Sequence, residues 1–214
     1  MLENIKGVIF DLDGTLVDSM GIWKEVDVDF IKKYHLQKPE NLDRLIEGKS
    51  CSELAGCFLE WFPSLTMTRE EVVKEWKDMT LLKYQHEVRL KPGAKNFLEY
   101  LKEKNMLLGI ASSNEKDLIK IALESNEVLG YFDSIHSADE VAGGKPLPDV
   151  YLKVLEDFGL KSQECLVFED VPMGILAGKN AGMKVCAIKD EHSLNLEAEK
   201  KELADYYIET FYEV

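Results

Sequence analysis

Val8-Ile9-Phe10-Asp11-Leu12-Asp13-Gly14-Thr15 is the stretch on which the reading of this 214-residue chain turns. Val, Ile and Phe, followed at once by an acid and soon by glycine, fit a buried strand that stops at a turn. Side chains alternate along a strand, so Asp11 and Asp13 point the same way only while the chain stays extended. Past the strand end, Asp13 can still flank the same pocket. Two like charges held close have their pKa values driven apart, leaving one ionised and one able to carry a proton. That suits a nucleophile beside an acid/base, or a divalent metal. A hydrophilic turn after a strand is the other reading these residues allow.

Outward from this stretch, short apolar runs fall at 7–10, 106–111, around Ile135, at 165–168, 183–188 and, weakly, 206–208. They alternate with segments of helical periodicity at 94–104, 116–124, 149–158 and 173–180. Pro92-Gly93 opens the first of these helices, and Gly159 and Gly182 close the third and fourth. The alternation predicts an α/β fold, a parallel sheet with helices on both faces. Ligands of such sheets sit outside the carboxyl ends of the strands, and the polar residues of this chain cluster there. From about Ser19 to Arg89 the alternation stops, while Ile22, Trp23, Val26, Phe30 and later Val72, Val73, Trp76, Met79 and Leu82 recur at helical spacing. The chain therefore divides into a core of residues 1–17 and 90–214 and an inserted α-helical domain of residues 18–89. Two chain crossings would let that insert act as a lid.

Hydrophobic residues at 45% and charged residues at 31% allow a sizeable core and an ordinary polar surface. A net charge of −14 repels nucleic-acid phosphates and anionic lipid, so neither is an expected partner, and an anionic substrate needs a local cation. The four cysteines form no C-x-x-C pair, and Cys165 and Cys186 lie in apolar runs, as reduced, buried thiols do. The N-terminus lacks the charged-then-apolar layout of a signal peptide, and no apolar stretch approaches the roughly 20 residues of a membrane span. These features point to a cytoplasmic protein, read here as a monomer.

Each later strand end carries its own chemistry. Ser112-Ser113-Asn114 precedes a helix, as an anion site or as an ordinary N-cap. In Gly143-Gly144-Lys145-Pro146-Leu147-Pro148-Asp149, glycines and prolines fix the backbone around one lysine. Its ammonium would neutralise a phosphate or a carboxylate, or the segment is simply a stiff loop. Glu169-Asp170 caps a helix, or joins Asp11 and Asp13 in a group of four carboxylates whose repulsion calls for a cation. An oxygen-rich site with room for water and substrate suits Mg²⁺.

In order, Asp11-Leu-Asp13-Gly14-Thr15, the serine after the second strand, Gly144-Lys145-Pro-x-Pro-Asp149 and Glu169-Asp170-x-x-x-Gly174-x-x-Ala177-x-x-x-Ala181-Gly182 resemble the four motifs of the haloacid dehalogenase superfamily. The insert after the first motif is similar to the cap of the branch that contains β-phosphoglucomutase and small sugar-phosphate phosphatases. The resemblance implies a Rossmann-like core with a mobile cap, and Mg²⁺-dependent phosphoryl transfer through an aspartyl-phosphate. It makes Asp11 the nucleophile and Asp13 the acid/base. Asp11, Asp13 and Asp170 would hold the metal with Glu169 beside them, and Gly14, Thr15, Ser112, Ser113 and Lys145 would hold the phosphate. Trp23, Arg44 and Lys49 are candidates to contact the substrate, expected to be a small phosphorylated metabolite such as a sugar phosphate. Asp13 argues against carbon–halogen cleavage, since dehalogenases of the superfamily typically lack it. A phosphosugar mutase is the alternative, though mutases typically carry histidine where this chain has Trp23. A non-catalytic binding protein fits poorly, because all four motifs keep their reactive side chains. Val171 departs from the pattern, standing where Ser or Thr is frequent.

Overall fold

A computed structural model describes residues 1–37 and 51–214. The chain forms two compact units, one of Met1–Met20 with Glu87–Val214 and one of Gly21–His86.

The larger unit is built on six parallel strands: β1 (Gly7–Phe10), β4 (Leu107–Ser112), β5 (Ser134–Ser137), β6 (Cys165–Glu169), β7 (Lys184–Ile188) and β8 (Tyr206–Ile208). Their order across the sheet is β5-β4-β1-β6-β7-β8. The chain thus builds outward from β1 to one side, returns, and builds to the other, which is the Rossmann-like winding. β1 pairs with β4 on one flank and β6 on the other, so its carboxyl end is the switch point where a crevice opens. Asp11 is the first residue beyond that end.

β1 and β6 are buried along their whole length, as continuous apolar runs without alternation predict for a sheet covered on both faces. On one face Phe10 stacks on Phe168 at 5.2 Å between ring centroids, and Phe97 and Phe211 complete the cluster. On the other, Ile9 and Val167 pack against Tyr151, Val154 and Phe158 of the helix Asp149–Phe158. Each such buried side chain contributes about 1.5–3 kcal/mol of transfer free energy, so the strand that presents Asp11 is held from both sides. The apolar run at 106–111 appears as β4 shifted by one residue, with Ser112 as its last residue rather than the first of the loop. Likewise Glu169 ends β6.

Two short strands escaped the sequence reading. β2 (Val17–Asp18) and β3 (Arg89–Leu90) pair antiparallel, Val17 opposite Leu90 and Asp18 opposite Arg89. Two residues are too few to show a period of two.

At the sheet edge, β5 runs into a 3₁₀ turn whose Glu140 carboxylate accepts from Lys116 Nζ, from His136 and from the Ser137 N–H. His136 also reaches Asp157 of the helix Asp149–Phe158 at 2.7 Å. The Lys116 hydrogen bond is the main cause that holds the Glu140 carboxyl down at about 2. An unfolded glutamate titrates near 4.3, so the folded carboxylate stabilises the protein above about pH 4.3, and that contribution fades as pH falls towards 2. Because the side chain is a third exposed, the contribution is under about 1 kcal/mol. Urea unfolding should show Glu140→Gln less stable than the parent near neutral pH, with the gap narrowing towards about pH 3. A gap that widens in acid would refute the electrostatic account.

The smaller unit contains helices α1 (Ile22–Lys33), α2 (Cys51–Trp61) and α3 (Arg69–His86). Phe30, Phe58 and Trp76 meet at its centre, with ring centroids 5.0–5.9 Å apart. Trp76, as its helical spacing indicated, is therefore a core residue of this unit, and Phe62 is buried with it. Among the described residues, no helix is long and apolar enough to cross a membrane.

Candidate active site

The crevice beyond β1 contains a cleft of about 160 Å³ lined by Asp11, Asp13, Ser112, Ser113, Lys145, Glu169 and Asp170, with Met20 and Val171 as apolar neighbours. Every strand end singled out in the sequence contributes to it. Gly14 turns the chain in the left-handed region at φ 79°. A side chain there would be strained, and its Cβ would collide with the Asp170 carboxylate.

Lys145 lies at the centre of the charges. Its ammonium donates to Asp11 Oδ1 at 2.6 Å, to Glu169 Oε1 at 2.5 Å and to the Ala111 carbonyl at 3.1 Å. Burial alone would lower its pKa, but Asp11 and Glu169 outweigh that and hold it well above the usual lysine range. The lysine therefore stays charged, and of the two readings of its loop the structure gives it a carboxylate partner.

Glu169 is fully buried and its oxygens are committed within the protein. Oε1 accepts from Lys145 and from the Tyr151 hydroxyl at 2.6 Å, and Oε2 from the Asp170 N–H at 3.1 Å. Burial, then the charge of Glu169, holds the Tyr151 pKa well above 10, so this phenol remains a donor. Gly174 leaves space for the carboxylate, since a Cβ there would overlap it. The sequence reading missed Tyr151, although a polar atom on the apolar face formed with Val154 and Phe158 is a usable signal.

Asp170 is arranged differently. Thr15, itself fully buried, donates to Oδ1 at 3.0 Å. Oδ2 is buried with no hydrogen-bond partner among the described residues. Burial, reinforced by the charge of Glu169, pushes the Asp170 pKa up to about 7. Burial also raises the Asp11 pKa well above the carboxylate range, with Lys145 opposing and the neighbouring acids adding to the rise. Three acids facing one ammonium, with an oxygen left unpaired, leave the cluster short of positive charge. Ligand oxygens of Asp11, Glu169 and Asp170 lie within 4.8 Å of one another, so a hard divalent cation fits this set. Thr15, expected at the phosphate, donates its hydroxyl hydrogen to this carboxylate.

Asp13 lies on the more open side. Ser19 Oγ donates to its Oδ1 at 2.6 Å and Asn114 Nδ2 to its Oδ2 at 3.0 Å. Ser112 is buried and its Oγ accepts the Asn114 N–H, whereas Ser113 is exposed at the mouth. Trp23 belongs to α1, but its side chain, like Arg44 and Lys49 entirely, lies outside the described residues. Cys165 and Cys186 are buried far from thiolate chemistry, their pKa values pushed up to about 12 by burial.

Paired acids, a fixed ammonium and hydroxyls at the switch point of a Rossmann-like sheet suit an enzyme that handles a phosphoryl group. The sequence profile described as haloacid dehalogenase-like hydrolase matches residues 8–188. The phosphorylated carbohydrates phosphatase of Thermotoga maritima is 30% identical over 183 residues, 84% of this chain and 83% of that protein. The (DL)-glycerol-3-phosphatase 2 of Arabidopsis thaliana is 30% identical over 214 residues, covering 96% and 87% of the two chains. The crystal structure of a candidate beta-phosphoglucomutase from Thermotoga maritima superposes with a TM-score of 0.84 at 28% identity, covering 95% and 94%. The chain belongs to the haloacid dehalogenase-like hydrolase family.

Proposed function

We propose that the protein is a Mg²⁺-dependent phosphatase that hydrolyses a small phosphorylated metabolite, a sugar phosphate, through an aspartyl-phosphate. The observation that carries the reading is the buried trio of Asp11, Glu169 and Asp170 around a single lysine, with one Asp170 oxygen unpaired. Sugar-phosphate hydrolysis by a relative of similar length supports the substrate class.

An oxygen of Asp11 attacks phosphorus, and the bond from phosphorus to the leaving oxygen breaks. Asp13 gives its proton to that oxygen, so the alcohol departs neutral. Asp13 then takes a proton from water as the water oxygen attacks the phosphorus. The acyl-phosphate bond breaks, inorganic phosphate leaves and the Asp11 carboxylate returns. Lys145 holds Asp11 in place and offers positive charge to the phosphoryl oxygens. The Ser112 hydroxyl, which accepts from Asn114 N–H, keeps its own hydrogen for one of those oxygens. Ser113 supplies a further hydroxyl, and backbone amides near Gly14 are the other expected donors, the Gly14 N–H itself being donated to the Val17 carbonyl at 2.9 Å. Asp11, Asp170 and the Asp13 backbone carbonyl would hold Mg²⁺, with Glu169 beside it. When bound, the ion shields the negative charges of nucleophile and phosphate from one another. Glu169 acts first through Lys145, since both of its oxygens already accept protein hydrogen bonds.

Substrate choice is assigned to the helical unit in the role of a cap, with Trp23, Arg44 and Lys49 as its expected contacts. The likeness to a candidate beta-phosphoglucomutase favours a second reading, phosphoryl movement within one sugar. Phosphate release from glucose 6-phosphate, ribose 5-phosphate, glycerol 3-phosphate, nucleoside monophosphates and p-nitrophenyl phosphate should require Mg²⁺ and stop on addition of a chelator. Turnover that ignores chelation would refute the metal. Interconversion of glucose 1- and 6-phosphates with little free phosphate would establish the mutase instead.

A further inference from the structure

Asn114 follows the serine of the second strand end and looks at first like an ordinary helix-entry residue. Its contacts give it a further task. The Nδ2 amide donates to Asp13 Oδ2 at 3.0 Å, across 101 positions of sequence. At the other end of the same amide, Oδ1 accepts the Glu115 N–H at 2.9 Å. Only a carbonyl oxygen can accept that backbone hydrogen, so the NH₂ end is the one that must face Asp13. The backbone is fixed as well. The Asn114 N–H donates to Ser112 Oγ at 3.0 Å, and its carbonyl accepts from Ser137 Oγ at 2.7 Å. Ser112 and Ser137 are the last residues of β4 and β5 and are paired in the sheet, so the amide is mounted on two strand ends.

We propose that Asn114 is the positioning residue for the acid/base Asp13: it ties one carboxylate oxygen to the sheet and so aims the other towards the leaving group. This rests on the reading of Asp13 as the acid. An amide NH₂ can donate but cannot accept, so it orients the carboxyl without competing for its proton. Ser19, another contact, is a hydroxyl able to do either, and it lies just after the two-residue strand β2 rather than on the main sheet. The division of labour is then clear: Ser112 serves the phosphoryl group, while its neighbour two positions on serves the leaving oxygen.

The signature of such a role is selectivity for the leaving group. p-Nitrophenolate departs without a proton, whereas a sugar alkoxide needs one. Misaimed general acid catalysis therefore slows the sugar ester and spares the nitrophenyl ester. Asn114→Ala should lower kcat/KM for the fastest-hydrolysed sugar phosphate of the panel by about tenfold or more, part of the 10²–10⁴ that acid–base catalysis supplies. The loss on p-nitrophenyl phosphate should stay within about threefold, and Asn114→Gln should not restore the ratio, because its longer chain cannot keep both amide contacts. The ratio of the two rates is independent of how much of the sample is folded, so a fragile variant still gives an answer. Asp13→Asn, measured in parallel, should discriminate in the same direction and more strongly. Equal losses on both substrates in Asn114→Ala, with Asp13→Asn still discriminating, would overturn the inference and leave the mechanism standing. Equal losses in Asp13→Asn would overturn the role of Asp13 and, with it, the inference.

Discussion

Asp11→Asn should reduce phosphate release by about 10⁴-fold or more, the scale on which loss of a covalent nucleophile is felt. The substitution keeps shape and volume and removes only the charge that attacks. Acid-quenched protein should carry labelled phosphoryl after mixing the parent with labelled substrate, and none in the variant. Folding should suffer little. The Asp11 carboxylate is buried beside Glu169 and Asp170, which together with desolvation disfavour its charged form, and an amide relieves that repulsion. Loss of the Lys145 ion pair works in the opposite direction, so the melting temperature should shift by only a few degrees. A variant that retains activity within tenfold of the parent would remove Asp11 from the chemistry.

Lys145→Met should damage both stability and activity. Lys145 is 7% exposed and is the cation shared by Asp11 and Glu169. Removing it leaves two buried carboxylates uncompensated, at a cost of about 3–5 kcal/mol. In a domain of this size that lowers the melting temperature by about 6–20 °C. The sign with pH follows from linkage. Burial already raises the Asp11 pKa and Lys145 opposes that rise, so without the ammonium the folded Asp11 carboxyl binds a proton more readily than the unfolded one and the native state gains relative stability as pH falls. The deficit against the parent should therefore be largest near neutrality and shrink in mild acid. Combining Lys145→Met with Glu169→Gln should destabilise less than the sum of the two single changes, because the orphaned charge is gone. Additivity within about 0.5 kcal/mol would mean that the two side chains do not interact as described. Activity should fall by about 10²–10³, as for loss of a group that stabilises transition-state charge.

Much of this site was legible because strand ends announce themselves. The apolar runs stop at Asp11, Ser112 and Glu169, and a parallel sheet gathers such stops at one edge. The Gly-Gly-Lys-Pro-x-Pro frame around Lys145 likewise signalled a side chain held in place. What the sequence withheld was the pairing among these groups. Glu169 and Asp170 are adjacent and chemically alike, yet strand alternation turns one inward to Lys145 and Tyr151 and leaves the other facing Thr15 and the cleft. Thr15 anchors an acid 155 positions away, and nothing in its neighbours predicts that. Asn114 belongs with them, since a residue that would cap a helix is a donor to Asp13 only once β4 and β1 lie side by side.

The small ribbon of β2 and β3 has a consequence for how such a chain can change. It laces together the points where the larger unit is interrupted, and the Lys91 N–H adds a further rung to the Leu16 carbonyl at 2.9 Å. Paired strands lie about 5 Å apart, a span that hairpin loops of roughly two to five residues close. The larger unit is therefore fastened across its point of interruption by its own backbone hydrogen bonds. A short turn joining Met20 to Glu87 should leave a foldable mini-enzyme core, and a different helical module seated between the same residues should inherit the same chemistry. Two residue pairs of backbone ladder, Val17 with Leu90 and Asp18 with Arg89, are what make such an exchange conceivable.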